Sequence, residues 1–406
     1  MQSDLGNRFS KRRRIAIIVT LGLLTGLGPF TIDLYLPAFP SLKGDLGITD
    51  AQVQVTLSAT TLGFALGQLV IGPWSDRVGR RLPLIVASSL HVTASILVAL
   101  APSVEFLTVM RALQGIGAAG GAVVAMAMAR DLFSGRPLVR MLARLSLISG
   151  LAPIIAPIVG SWMVTAMSWR GIFWGLAVYG ATIIALVVRL TVETRPPEQR
   201  TRGGIGGLVG SYRTVFGDRI FVGALMVGSF GFAGLFSYVS TSSVLLQEVY
   251  GLTAQSFGAI FALCSVGVFV GVQTGARVAP KYGPQWVMAC GNTLMIVAAC
   301  GILVVSALDA PLQALVPCMF AYTLGFGSCG PNTNVLALKN HRETSGVASS
   351  LLGSSSMLMG SLVGPIIGSF RMTDATPMGA AMLVCAALAS VALWLVLRPH
   401  RLPKTL

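Results

Sequence analysis

The sequence predicts an all-α integral membrane protein with twelve transmembrane helices in two pseudo-symmetric six-helix bundles. Three observations lead to this prediction: an apolar composition, twelve apolar segments of membrane-spanning length, and a repeat that relates the two halves. Hydrophobic residues make up 54% of the 406 residues and charged residues only 11%, with a mean hydropathy of +0.78. An ordinary soluble domain has about 25% charged residues, so this composition indicates a membrane protein.

Segments of about 20 apolar residues are long enough to cross a hydrocarbon core about 30 Å thick. The chain has twelve such segments, and the breaks at Pro102 and near Ser168 are the least distinct. We place the spans at residues 15–37, 52–72, 82–101, 104–129, 142–165, 170–190, 219–246, 254–279, 285–308, 311–336, 344–369 and 376–397.

The placement of charge also favours a membrane protein. A net charge of +15 could attract the phosphates of a nucleic acid, but the 29 Lys and Arg residues fall almost entirely on one side of the twelve spans. Only Lys43, Arg170 and Arg371 lie on the opposite side, and Arg111 lies within a span. By the positive-inside rule the basic side, with both termini, is cytoplasmic. We therefore expect a multi-pass protein in the lipid bilayer and no nucleic acid as a partner.

Small residues recur at matching places in the two halves. The stretch "GFALGQLVIGPWSDRVGRR", from Gly63, aligns with "GVFVGVQTGARVAPKYGPQ", from Gly267, and pairs Gly79 with Gly283. Small residues let helices approach closely at fixed points, so collinear matches indicate a duplicated six-helix unit. Internal repeats of this kind are typical of secondary transporters, whose substrate site lies between the halves.

The repeat predicts three parts of the chain. They are an N-terminal bundle (1–190), a cytoplasmic linker (191–218) and a C-terminal bundle (219–406). The linker is basic and rich in proline and glycine, which argues against one continuous helix through it.

The cysteine and histidine residues predict no metal site. All six cysteines fall in predicted spans of the second half, without C-x-x-C spacing or a nearby histidine. The chain also has no G-x-S-x-G or H-E-x-x-H motif, which a membrane enzyme with a nucleophile or a metal would require. We expect no enzyme activity, no metal and no cofactor.

Two ionisable residues lie inside predicted spans at similar depth. Asp33, in "PFTIDLYLPAFPSL", lies roughly 10 Å below the outer end of the first span, and Arg111 lies at a matching depth in the fourth. Such residues are costly in a membrane and by default mark a pathway. Arg111 would favour the charged form of Asp33 and desolvation would oppose it. A permanent ion pair that only fixes packing, or a solvated Asp33, is the alternative.

Several stretches resemble motifs of the major facilitator superfamily. "GPWSDRVGRR" resembles its loop between helices two and three, "RALQGIGAAGG" its fourth-helix motif, and "GLAPIIAPIVGS" its antiporter motif in helix five. "TIDLYLPAFPSL" and "MARDLF" further resemble the bicyclomycin and chloramphenicol resistance branch of twelve-helix drug:proton antiporters. The order and spacing of these motifs agree with the superfamily over essentially the whole chain.

The resemblance implies a major facilitator fold and a monomeric exporter in the bacterial inner membrane. Its cargo would be small amphipathic drugs, chloramphenicol-like or bicyclomycin-like, and the proton gradient would drive export. One bundle would rock against the other to expose the site to each side in turn, with Asp33 as the proton site and Arg111 beside it. The alternative is a proton-coupled transporter of a small metabolite, because the fold alone does not determine the cargo.

The candidate substrate contacts come from both halves of the chain. They are Phe30, Asp33, Pro37, Gln114, Tyr238 and Asn332. The aromatic and proline residues would supply apolar contacts, and Asn332 is a polar candidate of the second half. Gln114, one turn from Arg111, would hydrogen-bond the substrate or orient the arginine. Ordinary packing within the bundle is the alternative for these residues.

The resemblance also implies a cytoplasmic gate. Asp76 and Arg80 would form a charge-linked latch against the start of helix eleven, in a loop that also contains Arg77 and Gly79. A simple positive-inside anchor is the alternative interpretation of this loop.

The antiporter motif predicts a helix that can bend and pack tightly. Its residues are Gly150, Pro153, Pro157 and Gly160. Neighbouring helices can satisfy the backbone groups that proline frees in a membrane span. A purely structural role is the alternative for this motif.

Overall fold

The computed structural model describes residues 9–200, 205–341 and 344–403, and these residues form helices and loops without a strand. The predicted all-α fold class is therefore confirmed. The terminal residues, which the charge pattern assigns to the cytoplasm, lie outside the described ranges.

Seven α-helices precede the linker. They are α1 (Lys11–Asp33), α2 (Phe39–Leu46), α3 (Asp50–Val78), α4 (Arg81–Ala99), α5 (Val104–Leu132), α6 (Gly135–Ala166) and α7 (Trp169–Leu190). A short 3-10 turn, Leu36–Ala38, connects α1 to α2. The short break before α5 is set by Ser103, whose hydroxyl accepts a hydrogen bond from the backbone N–H of Phe106 at 3.4 Å. Such a cap satisfies one of the free N–H groups at a helix start.

Seven further α-helices of the described residues follow α7, and the first of them lies within the predicted linker. They are α8 (Ile205–Phe216), α9 (Arg219–Ser243), α10 (Ala254–Tyr282), α11 (Pro284–Ala307), α12 (Leu312–Leu338), α13 (Ser345–Gly368) and α14 (Thr376–Val391). π-Helical turns extend α9 over Val244–Val249 and α14 over Ala392–Leu397. In the described chain twelve helical stretches are long and apolar enough to cross a membrane, which agrees with the predicted number of spans.

The residues group into two compact units, each treated separately below. Unit 1 comprises Met1–Ala38 and Ala59–Arg202, and unit 2 comprises Phe39–Ser58 and Gly203–Leu406. The bounds that the repeat gives for the bundles and the linker stay a prediction.

Glycines that the repeat aligns lie at equivalent helix crossings in the two units. A Cβ atom on Gly67 of α3 would lie 2.7 Å from a carbonyl oxygen of α5, and one on Gly271 of α10 would overlap a carbonyl oxygen of α12. Gly79 and Gly283, which end α3 and α10, have positive φ angles of 104° and 90°. Glycine adopts such angles at a helix end without a steric penalty. In both units, the aligned glycines are therefore required by the same structural features, a close helix contact and a helix end with a positive φ angle.

Candidate functional site

Asp33 is the last residue of α1, immediately before the chain turns into the 3-10 segment. Only 7% of its surface is exposed. Its carboxylate has no hydrogen bond and no ion pair with any residue of the described ranges. A carboxyl group in this setting can exchange a proton without first breaking an ion pair.

Arg111 of α5 is fully buried, with an exposed fraction of 0%. Its Nη1 donates to the carbonyl oxygen of Thr31 at 3.1 Å and to Oε1 of Gln114 at 2.7 Å. Its guanidinium carbon lies 4.6 Å from the ring centroid of Tyr35 and 5.4 Å from that of Phe173. A desolvated cation over an aromatic face gains about 2 kcal/mol or more. These contacts fix the guanidinium between α1 and α7.

Asp33 and Arg111 both belong to unit 1, and α1 connects them, since Arg111 binds a carbonyl oxygen two residues before Asp33. No ion pair joins the two side chains in the described part of the chain. The guanidinium Nε and Nη2 are buried and have no hydrogen-bond partner among the described residues. Arg111 therefore retains donors that could bind a carboxylate or a substrate oxygen.

Gln114 holds Arg111 in place through a buried network. Its Nε2 donates to Oγ of Ser95 at 2.7 Å, and Ser95 donates to the carbonyl oxygen of His91 at 2.7 Å. Nδ1 of His91 lies 3.3 Å from the carbonyl oxygen of Gln114, which closes the network between α4 and α5. Of the two roles predicted for Gln114, the geometry supports the orientation of the arginine.

The other predicted contacts of unit 1 lie close to Asp33 along α1. Phe30 is half-buried, and its ring centroid lies 5.5 Å from that of Tyr179 on α7. Pro37 is buried in the 3-10 turn that follows Asp33. Both residues supply apolar surroundings to the end of α1.

The two predicted contacts of unit 2 are buried. Tyr238 stacks on Phe261 with 5.3 Å between the ring centroids. Asn332 donates from Nδ2 to the carbonyl oxygen of Ser328 on its own helix at 2.8 Å. Their role in substrate binding stays a prediction.

A charge network surrounds the loop between α3 and α4. Nη1 of Arg80 lies 2.8 Å from Oδ1 of Asp76, and Nε donates to Oδ2 of Asp131 on α5 at 2.9 Å. Asp76 also pairs with Nη1 of Arg195, beyond α7, at 2.7 Å. Arg77 lies in the last turn of α3. The network ties three segments of unit 1 together, and the latch to helix eleven stays a prediction.

Glu193 anchors this loop from the segment that follows α7. Its carboxylate accepts hydrogen bonds from the backbone N–H groups of Arg80 at 2.8 Å, Arg81 at 3.1 Å and Arg195 at 2.9 Å. Partial desolvation alone would raise the pKa of Glu193, but the three N–H donors and the charge of Arg200 hold that pKa below its ordinary value. The anion lies at the start of α4, where the free N–H groups of a helix favour negative charge.

The close approach of the Glu193 carboxylate to the loop requires a glycine at position 79. Its φ angle is 104°, and a Cβ atom there would lie 2.6 Å from Oε2 of Glu193. A larger residue would be strained and would push the carboxylate away from the loop.

The antiporter-like motif lies on α6. A Cβ atom on Gly160 would overlap the carbonyl oxygen of Leu34, so this glycine lets α6 touch the end of α1 next to Asp33. Pro153 and Pro157 lie inside the helix, and Gly150 is half-buried. The contact of Gly160 supports tight packing, whereas bending of α6 stays a prediction.

The sequence profile of the Major Facilitator Superfamily matches residues 21–362. The chain belongs to the major facilitator superfamily.

Relatives within this superfamily confirm the resemblance to its drug-resistance branch. The chain is 33% identical to an uncharacterized MFS-type transporter, YdgK, of Bacillus subtilis, over 94% of this chain and 95% of that protein. It is 28% identical to a bicyclomycin resistance protein homolog of Haemophilus influenzae, over 92% and 94%. It is 31% identical to multidrug resistance protein D of Escherichia coli, over 66% and 67%.

Solved structures of major facilitator proteins share the fold. A bacterial homolog of the human lysosomal transporter Spinster, inward-facing and unoccupied, matches with a TM-score of 0.74 at 17% identity, over 96% of this chain and 98% of that one. A D-xylose-proton symporter also matches with a TM-score of 0.74, at 15% identity over 92% and 97%. From its family and its relatives, the chain is a multi-pass transport protein of the bacterial inner membrane for small molecules, and not an enzyme.

Some residues of this major facilitator site were not singled out from the sequence. Tyr35 and Asp131 stand inside the motifs "TIDLYLPAFPSL" and "MARDLF", so they could have been considered there. Phe173 is one of several aromatic residues in an apolar span, and nothing in the pattern distinguishes it. Glu193 is the first acid after the sixth span, but nothing in the sequence relates it to the loop between α3 and α4.

Proposed function

We propose that this transporter exports small amphipathic drugs in exchange for protons and that Asp33 is the proton-binding group. The observation that carries the proposal is a buried carboxyl group, at the end of a membrane-spanning helix, without an ion pair to any described residue. An acid inside a span by default marks a transport pathway. The bicyclomycin and multidrug resistance proteins among the relatives support a drug as the cargo.

Coupling follows from competition for Asp33. When the site is open to the outside, Asp33 takes up a proton. When it is open to the cytoplasm, a drug that contacts Asp33 displaces this proton. A movement of either side chain can then bring the N–H groups of Arg111, which have no partner among the described residues, to the carboxylate and stabilise it. The cycle exchanges one proton for each drug molecule if Asp33 is the one titrating acid.

The surroundings of Asp33 suit an amphipathic molecule. Half-buried Phe30 offers apolar surface and Asp33 a polar group, whereas Pro37 and the donors of Arg111 are buried and would contact a drug only after a rearrangement. A site with an apolar wall and a few placed polar groups is typical for binding small organic compounds. Tyr238 and Asn332 of unit 2 stay predicted substrate contacts.

The charge network of Arg80 is the proposed gate on the cytoplasmic side. Its carboxylate partners Asp76 and Asp131 are fixed within unit 1, so the loop can act as one rigid body. The proposal places both termini in the cytoplasm, as the charge pattern indicates. It also includes a monomeric transporter, because one chain supplies both copies of the repeated unit.

Transport in liposomes tests the proposal. Purified protein is reconstituted, a pH gradient is imposed, and the accumulation of bicyclomycin, chloramphenicol and a wider compound panel is measured with and without a protonophore. We expect protonophore-sensitive accumulation of at least one drug by the wild type and none by Asp33→Asn. Asp309→Asn is the matched control, because Asp309 lies in an exposed loop at a φ angle of 47° that asparagine tolerates.

Unchanged uphill transport by Asp33→Asn would remove Asp33 from the proton pathway. Gradient-driven transport of a sugar or an organic acid, with no drug accumulated, would favour the metabolite transporter instead.

A further inference from the structure

Unit 2 contains a cavity of about 160 Å³ between α9, α11, α12 and α13. Its walls include the rings of Phe232 and Phe326, whose centroids lie 6.3 Å apart at an angle of 58°. Among the described residues, no charged side chain lines it. An apolar cavity of about 150 Å³ holds a benzene molecule, so this space is large enough for one aromatic ring.

Asn292 of α11 lines this cavity and is unusual among its polar residues. It is only 2% exposed, and its side chain forms no hydrogen bond to the described residues, so that Oδ1 is buried without a partner. The hydroxyls of Thr333 and Ser356 instead donate to carbonyl oxygens of their own helices at 3.0 and 2.9 Å. A buried amide without a partner is destabilising, so a ligand that satisfies it binds more tightly.

Glycines keep the cavity open without serving helix packing. A Cβ atom on Gly330 of α12 would meet no atom within 4 Å, and one on Gly231 of α9 would first meet Phe326 at an ordinary 3.7 Å. By contrast, Gly327 on the same helix α12 is needed for packing, because a Cβ atom there would overlap a backbone carbonyl of α10. The absent side chains at Gly330 and Gly231 therefore leave space for something other than a neighbouring helix.

The cavity lies toward the predicted cytoplasmic end of unit 2. Asn292 comes eight residues after the start of α11 at Pro284, which corresponds to about 12 Å along the helix. The charge pattern assigns this end of α11 to the cytoplasm. A compound that enters an exporter from the cytoplasm or the inner leaflet would therefore reach this depth early.

We propose that this cavity is a subsite for one aromatic ring of a transported compound and that Asn292 binds an uncharged hydroxyl or amide group on that ring. The proposal rests on the proposed export function and adds a chemical class to it. The terminal torsion of asparagine is broad, so the amide can present either its N–H or its carbonyl group to the ligand. Phe232 and Phe326 offer the ring edge and face contacts that aromatic groups prefer. Because no described charged side chain lines the cavity, uncharged rings should bind there more tightly than ionised ones.

Fluorine NMR of purified protein in nanodiscs tests this subsite without a proton gradient. The probes are 4-fluorobenzamide, which can pair with the amide of Asn292, and 4-fluorotoluene, which cannot. Empty nanodiscs give the background from lipid partitioning. We expect Asn292→Leu to raise the Kd of 4-fluorobenzamide about fivefold, as for loss of one hydrogen bond, and to change that of 4-fluorotoluene less than twofold. Thr293→Val, on the exposed face of the same helix, is the matched control.

A second pair of variants tests the space itself. Gly330→Leu should fill the cavity and abolish saturable binding of both probes. Gly346→Leu should not, because a Cβ atom at Gly346 also meets no atom within 4 Å but lies outside the cavity. Elution as a single size-exclusion peak confirms that each variant is folded.

Three results would overturn the proposal. The first is the absence of saturable binding of either probe to the wild-type protein, and the second is unchanged binding of the probes to Gly330→Leu. The third is an equal weakening of the binding of both probes by Asn292→Leu, which would indicate a structural role for Asn292. Because the assay uses no gradient, a failed subsite and a failed proton coupling at Asp33 give different results. Export that depends on Asp33 with no binding at the cavity would reject only the subsite.

Discussion

Replacing Glu193 by glutamine should destabilise the loop between α3 and α4. The substitution removes the charge that accepts three backbone hydrogen bonds at 2.8 to 3.1 Å. Hydrogen bonds to a charged group contribute about 1.5–3 kcal/mol each when buried. Glu193 is an exposed residue, so solvent screening lowers the sum, and we expect a loss of about 1–2 kcal/mol in the free energy of unfolding.

The pH dependence of this loss follows from the lowered pKa of Glu193. Because the pKa in the folded protein lies below the ordinary value of 4.5, the carboxylate stabilises the fold above about pH 4.5, and this stabilisation is lost as the pH falls through the lowered pKa. Thermal unfolding of the wild type and Glu193→Gln, followed by tryptophan fluorescence between pH 3 and 8, measures the effect. We expect a difference in Tm of about 1–3 °C at pH 7 that disappears at the acidic end.

Glu198→Gln is the matched control, because Glu198 lies five residues further along the same segment and forms no hydrogen bond through its side chain with the described residues. Equal Tm values for the wild type and Glu193→Gln at pH 7 would refute the anchoring role. A difference that persists unchanged at low pH would refute its electrostatic origin.

Three further substitutions test the packing and charge of unit 1. Gly160→Val places side-chain atoms against the backbone of Leu34, so we expect the free energy of unfolding to fall by about 1–3 kcal/mol. The loss should be visible as a lower yield of folded protein in size-exclusion profiles. A wild-type profile would contradict the close contact. Arg111→Lys keeps the charge but loses the contacts of the planar guanidinium with the rings of Tyr35 and Phe173. Uphill transport should therefore fall about tenfold. Transport at the wild-type rate would show that the charge alone suffices. Asp131→Asn removes a charged acceptor from Arg80 and should lower the free energy of unfolding by about 1–2 kcal/mol, measured by thermal unfolding, whereas an unchanged Tm would show that the pair contributes nothing.

The sequence was sufficient for the membrane-spanning helices because length and hydrophobicity determine them directly. The repeat was equally informative, because Gly67 and Gly271 face the same steric limit at equivalent crossings. The family motifs then located the loop of Arg80 and the packing residue Gly160. The spans, the repeat and the motifs all depend on the spacing of residues along the chain, which can be read directly from the sequence.

The contacts of the candidate site were harder to predict because they depend on side-chain direction. Similar depth suggested that Asp33 and Arg111 share one place, yet Arg111 binds the backbone of Thr31 and the rings of Tyr35 and Phe173. Equal depth along two helices does not determine which faces meet. The role of Glu193 depends on a fold-back of the chain after α7 that no periodicity indicates.

The cavity of Asn292 was also not predicted. The sequence shows an isolated asparagine within the apolar stretch "ACGNTLMIV". An amide in such a stretch indicates a specific polar contact, but a contact with a neighbouring helix would explain it equally well. Only the spatial arrangement shows that Gly330 and Gly231 leave room beside it.

A measurement of the protons that a drug displaces tests the role of Asp33 most directly. Purified transporter in weakly buffered detergent solution is titrated with a drug that it exports, and the change in pH is recorded. We predict release of about one proton per bound drug molecule from the wild type and none from Asp33→Asn, which should still bind the drug. Equal proton release from the two proteins, or no release from the wild type at a pH at which it transports, would contradict proton exchange at Asp33.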